Sequence, residues 1–252
     1  MMNAKQWVLV LMVLASMGTF GRAQAGLIYN AAADFSPTSN PNSVWSYGDS
    51  ATLGGPLTAY TLAQSSTGID FWDNTGAFNP PWVAHNGTAG VATFGTVQFL
   101  PGQLGFHPGI NDEISIVRFT APMAGSFDLS SSFSGLDFVG PTTTGVHVLL
   151  NGLSIFDGIV NGFGAGSGPS FATTLSLVAG DRVDFAVDFG PNGGYLFDST
   201  GVSATLTVPE PASLMMLATG FIGLLSCGTR RGVARSTFFA LFRVAERQET
   251  AV

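Results

Sequence analysis

From Ile114 onward the chain runs in short stretches of alternating apolar and polar residues, broken by Gly, Pro, Asn and Asp. A period of two is the mark of strands buried on one face. "SFDLSSSF" places Phe127, Leu129, Ser131 and Phe133 on one side. In "GVHVLLNGLSIFDG" Val146, Val148 and Leu150 alternate up to Asn151-Gly152, and Leu153 and Ile155 carry the pattern away. Asn-Gly between two such runs predicts a hairpin, because both central residues of a type I′ turn need positive φ. "TTLSLVAGDRVDFAVDFG" predicts a second pair turning at Ala179-Gly180-Asp181, with Val183, Phe185, Val187 and Phe189 inward and Arg182, Asp184, Ala186 and Asp188 outward. "GVSATLTV" closes the series with Val202, Ala204, Leu206 and Val208 inward.

The first half is less regular. "VATFGTVQFLPG" and "GDSATLGGPLTAYTLA" each predict a strand pair, and "FWDNTGAFNPPWVAHNGT" a long aromatic loop. No break in composition separates the halves. The expected fold is therefore all-β: one antiparallel, jelly-roll-like β-sandwich over residues 26–207.

The two ends depart from this pattern. "MMNAKQWVLVLMVLASMGTFGRAQAG" has Lys5, an apolar run from Trp7 to Met17 and a small-x-small site at Ala23-Gln24-Ala25. These are the three regions of a secretory signal peptide, here residues 1–25. At the other end Ala212 to Cys227 carries no charge and precedes Arg230-Arg231. As a helix these residues span about 24 Å, so a short transmembrane segment is expected once flanking residues are added. Pro211 suits a first helical turn, and the arginines would stay on the cytoplasmic side as stop-transfer charges.

"VPEP", the apolar run and the paired arginines resemble the PEP-CTERM sorting signal of exported bacterial proteins. That resemblance implies the membrane transpeptidase exosortase as partner, with Pro209, Glu210 and Pro211 as the processing motif. It also implies transient residence in the inner membrane, then release to the cell surface or secretion. Two prolines keep Glu210 extended and out of helical hydrogen bonds, which suits processing there. The sorting signal covers 208–231, and 232–252 form a basic cytoplasmic extension longer than the family usually carries.

Charge sharpens the picture. Between Gly26 and Val208 only Arg118 and Arg182 oppose thirteen acidic residues, a balance of −11. Such a domain is repelled by nucleic acid and by anionic membrane surfaces. The single cysteine, Cys227, excludes an intrachain disulfide and a cysteine-based zinc site. "VRFTAPMAGSFDLSSSFSGLD", "VHVLLNG", "AGDRVDFAVDFGPNGGYLFDSTGVSATLT" and the opening "DFSPTSNPNSVWSYG" resemble carbohydrate-binding, galactose-binding-like modules. The resemblance implies a binding module of exopolysaccharide. Trp45 and Tyr47 in that opening are expected in the core.

Candidate chemistry is sparse. Glu113 is the only glutamate of the exported domain, and beside it Asp112 would point the other way along a strand, so no carboxyl pair for glycoside hydrolysis stands out. No catalytic residue is named, although a secreted polysaccharide-active enzyme is one alternative and a matrix protein without a ligand another. His85, His107 and His147 lack metal-site spacing, with His107 expected in a loop and His147 outward on a strand. No cofactor is expected beyond a structural calcium ion, for which Asp188, Asn192 and Asp198 offer oxygen donors. For a glycan, Trp72 and Trp82 with Asp70, Asp73, Asn74 and Asn86 combine aromatic faces with polar partners, weighed against the same rings plugging the sandwich.

Overall fold

The structure, a computed structural model, describes residues 26–209. The expected signal peptide, Glu210, Pro211, the apolar segment, Arg230, Arg231 and the extension lie outside the described residues. Sixteen strands follow one another: β1 (Leu27–Asn30), β2 (Trp45–Ser50), β3 (Thr58–Ala59), β4 (Leu62–Ser66), β5 (Ile69–Asp73), β6 (Trp82–Asn86), β7 (Ala92–Phe94) and β8 (Val97–Phe99), then β9 (Leu104–His107), β10 (Ile114–Thr120), β11 (Gly125–Gly135), β12 (Gly145–Leu150), β13 (Leu153–Ile159), β14 (Ser170–Leu177), β15 (Arg182–Asp188) and β16 (Thr200–Val208). Among the described residues no helix is long and apolar enough to cross a membrane.

Two antiparallel sheets make the expected sandwich. One runs β14-β11-β16-β9-β6-β5-β4 with β1 also beside β16, and the other runs β13-β12-β15-β10-β2-β3. Between them lies the main core, where Phe127, Leu129 and Phe133 of β11 and Val202, Ala204 and Leu206 of β16 meet Val146, Val148, Val183, Phe185 and Val187 of the facing sheet. Trp45 and Tyr47 are fully buried there. The period-two reading of β11, β15 and β16 thus places these side chains correctly, because each strand has one face on this core.

Three expectations change. The run through Ala179-Gly180-Asp181 is not a hairpin: β14 pairs with β11 and β15 with β10 and β12, so the turn carries the chain from one sheet to the other. The "outward" row of β15 is not all exposed. Asp184 is buried in a bidentate ion pair with Arg118 (2.6 and 2.8 Å), and Ala186 packs with Ile114, Ile116 and Leu149 under Leu57. Finally, the "aromatic loop" contains two paired strands, β5 and β6. Both of their faces are covered, the outer one by the β7–β8 hairpin through Ala92, Val97 and Phe99. Strands buried on both sides show no alternation, which is why this pair reads as irregular.

The Asn151-Gly152 hairpin forms as expected, with φ of 53° and 85°. Asn151 also receives the Arg182 N–H (2.9 Å) and donates to Asp181 (3.0 Å), tying this turn to the β14–β15 crossing.

An aromatic cleft at one pole

β6 and β16 begin at the pole where β9 and β11 end, and the loops there enclose a cleft of about 220 Å³. Phe78 and Pro80 come from the β5–β6 loop, Phe94 to Val97 from the β7–β8 turn, and Tyr195, Leu196 and Phe197 from the segment before β16. Trp82 and His107 complete the lining, with ring centroids 5.4 Å apart. Phe71, Phe78 and Phe94 pack on one another at 5.2–5.3 Å. Tyr195 and Leu196 are 37% and 63% exposed.

Two of the lining residues have unusual backbones. Phe78 and Phe197 hold φ of 59° and 66°, in the left-handed region that costs a side chain of this size about 1–2 kcal/mol. Such strain persists where the surroundings impose it, and it concentrates at binding sites.

The polar groups divide into committed and free ones. Asp137 is buried and accepts the Thr96 hydroxyl (2.7 Å) on one oxygen and the Ser199 N–H (2.8 Å) on the other. Both of its oxygens are thus engaged by neighbouring loops. His107 is buried at the end of β9 rather than in a loop, and its Nδ1–H donates to the Pro108 carbonyl (2.6 Å). Burial holds its imidazole below the ordinary value, against the Pro108 hydrogen bond and Asp137, so at neutral pH Nε2 is an uncharged acceptor.

The expected glycan residues do not form one platform. Trp72 and Trp82 are 5% and 3% exposed and lie on opposite faces of the β5–β6 pair: Trp72 sits in the main core, its indole N–H on the Ser36 carbonyl (2.7 Å), while Trp82 lies in the outer cluster. Asp73 caps the loop after β5 through the Thr75 and Gly76 N–H groups (3.1 and 2.8 Å) and bonds Gln64. Asn74 ties that loop to Thr61 and Ala59. Asn86 is buried and bonds the Gly90, Phe99 and Leu100 carbonyls at 2.8–3.2 Å. Asp70 pairs across the strands with His85, away from the cleft. Of the six only Trp82 reaches the cleft, as an enclosed wall.

The expected calcium donors are partly engaged within the fold. Asp188 accepts the Gly190 N–H (2.8 Å) and faces His147 (3.2 Å), and Asn192 bonds Thr143 and the Gly194 N–H. Asp198 is buried with Oδ2 unpartnered, yet among the described residues no three His, Cys, Asp or Glu side chains gather around a metal position. His147, expected outward, is half-buried between Asp157 (2.6 Å) and Asp188. Asp112 and Glu113 lie in the loop before β10 rather than on a strand, and Glu113 takes the Asn111 N–H (2.9 Å) and side-chain amide (3.0 Å).

β16 ends at Val208, and Pro209 is the last residue described. Residues 207–231 match the PEP-CTERM protein-sorting motif. The PEP-CTERM motif marks the chain for export and C-terminal sorting, and it begins while the last strand is still paired with β1. No curated protein matches the sequence. Solved structures similar to the sandwich include a CBM51 module from Clostridium perfringens GH95 in complex with methyl-galactose, at 11% identity over 59% of this chain and 94% of that one, TM-score 0.34. A family 35 carbohydrate-binding module from Clostridium thermocellum matches at 11% identity over 72% and 98%, TM-score 0.28. The Podospora anserina GH26-CBM35 mannanase matches at 21% over 58% and 29%, TM-score 0.29. These scores are low, and what those proteins bind or cleave says nothing of this chain.

Tyr195, Phe197, Phe78 and Phe94 are aromatic lining residues missed in the sequence. Their signal is faint: aromatics in or beside Gly- and Asn-rich turns, two of them, Phe78 and Phe197, where the backbone turns left-handed.

Proposed function

We propose that this is an exported surface protein, processed by exosortase after Pro209, whose non-catalytic sandwich binds a neutral glycan in the aromatic cleft at its pole. The observation that carries the reading is the cleft itself, where two strained phenylalanines and an exposed tyrosine line one end of the sandwich. The C–H face of a pyranose packs on such rings while its hydroxyls need neutral partners, here His107 Nε2 and the Tyr195 hydroxyl. A domain balance of −11 disfavours acidic polysaccharides. β16 runs nine residues, about 30 Å of strand, so the cleft lies at the end of this strand opposite Val208. Its work would then be in the exopolysaccharide matrix.

The test is retention of the full chain, in detergent, on insoluble neutral polysaccharides such as cellulose, galactan, mannan and starch. Tyr195→Ala removes an exposed ring at little cost to the fold and is expected to weaken retention about tenfold, equivalent to about 1.4 kcal/mol. Unchanged retention would exclude the cleft as the site. Release of reducing sugar from any of these polymers would make the protein an enzyme.

A further inference from the structure

A second cavity lies on the flank of the same sheet, where the neighbour of β16 changes. β9 pairs with β16 as far as Val202, and β1 takes over at Thr205, with the Ala31 N–H just beyond β1 donating to the Ala204 carbonyl (3.0 Å). Ser203 falls at the break. Around it opens a cavity of about 590 Å³, within the range of small-molecule sites.

Its lining includes the outward row of two strands, Ser132 and Ser134 of β11 and Gly201 and Ser203 of β16, registered side by side. Gln103 enters from before β9; its carbonyl oxygen takes the Leu100 N–H (2.8 Å), leaving its NH₂ group to the cavity. Gly201 lies between these side chains: a Cβ there would stand 2.8 Å from Gln103 Nε2 and 2.9 Å from Ser134 Oγ. The far wall is the Phe35 ring stacked on His85 at 5.0 Å and 25°. Burial lowers the His85 pKa, so the wall is uncharged at neutral pH. Among the described residues no Asp, Glu, Lys or Arg lines the cavity.

Phosphates, carboxylates and divalent cations are held most strongly by charged side chains, and the lining supplies none. Hydroxyls, a primary amide and one stacked ring pair complement a polyhydroxylated, uncharged molecule. The hydroxyl surface also continues beyond the cavity, through Ser130 of β11 opposite Thr205 of β16. We infer that this flank cavity is a second binding site for a neutral glycan, built from β11, β16 and the β1–β9 break. It stands independently of the aromatic cleft: His107 belongs to the cleft and Gln103 to the cavity, four residues apart, about 13 Å along the strand direction. One domain then engages a polymer at two points.

The experiment is the same retention assay on the detergent-solubilised full chain, with Ser203→Trp to fill the cavity and Gln103→Ala to remove the amide, each checked for an unchanged unfolding temperature. Ser203 is exposed, so its replacement leaves the core alone. Both variants are expected to weaken retention about tenfold, and Ser203→Trp combined with Tyr195→Ala to weaken it about a hundredfold if the sites act separately. Retention unaffected by Ser203→Trp and Gln103→Ala, but lost with Tyr195→Ala, overturns the second site and leaves the cleft standing. The reverse pattern overturns the cleft and keeps the cavity. No retention of the unaltered chain on any of the four polymers overturns both.

Discussion

Asp198 is the residue that most clearly costs this fold something. It lies before β16 with Oδ2 buried and unpartnered, and burial, with Asp137 and Asp188 nearby, pushes its pKa up to about 7. A carboxyl whose folded pKa lies above its unfolded value of about 3.9 holds a proton in the native state that it loses on unfolding. Stability therefore falls as pH rises through the window from about 4 to about 7. Asp198→Asn should flatten that part of the curve, raising the melting temperature at pH 8 by about 2–4 °C while leaving it nearly unchanged at pH 4. An equal shift at both pH values would mean that the charge is not the cause. His147 acts on the alkaline side: burial lowers its pKa, but hydrogen bonds to Asp188 and Asp157 outweigh this and raise it. Its contribution is complete below about pH 6.5 and is lost as pH rises through the raised value, so some decline should survive in the Asp198→Asn variant.

At the scale of elements, the two turns at Gly152 and Gly180 look alike in sequence and differ in what surrounds them. Both glycines have positive φ, 85° and 91°, but a Cβ on Gly152 would lie 2.9 Å from the Gly54 carbonyl oxygen, whereas one on Gly180 meets nothing within 4 Å. Gly180→Ala should cost about 1 kcal/mol of backbone strain alone, and Gly152→Ala about 2 kcal/mol or more, read as melting temperatures lower by about 2–4 °C and 4–8 °C. Equal losses would show that the contact with Gly54 relaxes freely. The same pair of turns shows how far the sequence can be read. Alternation reveals which side of β11, β15 and β16 is apolar, because that is a property of one strand. It does not reveal whether β14 and β15 turn back on each other or pass between sheets, which depends on partners distant in the chain. β5 and β6 hide for a related reason: a cover over the outer face makes Phe71 and Trp82 as buried as Trp72. Both candidate sites arise where such non-local partners meet, so their residues are scattered over five or more segments and no motif announces them.

For the molecule as a whole, the sorting segment and the sandwich are read by different chemistry. The PEP-CTERM motif is local, with Pro209, Glu210, Pro211 and the paired arginines close together in sequence, and it is legible from those residues alone. If exosortase cuts at this motif, the surface form will lack peptides between Leu214 and Val252 by mass spectrometry, and Glu210→Ala will leave most of the protein in the membrane fraction with those peptides retained. Detection of the complete C-terminus on the surface form would exclude processing there.

β16 has one more consequence. It is the inner strand whose end leads into Pro209, and it is flanked by eight registered pairs with β11 and four with β1, the last joining Leu27 to Val208. A tug on the chain beyond Pro209, as from flowing liquid dragging a tethered particle, pulls this strand along its own axis. Ladder hydrogen bonds lie across that axis. They would have to slide and rupture together rather than open one after another like a zipper, so the fold meets traction from its tail with the most resistant geometry a sheet provides.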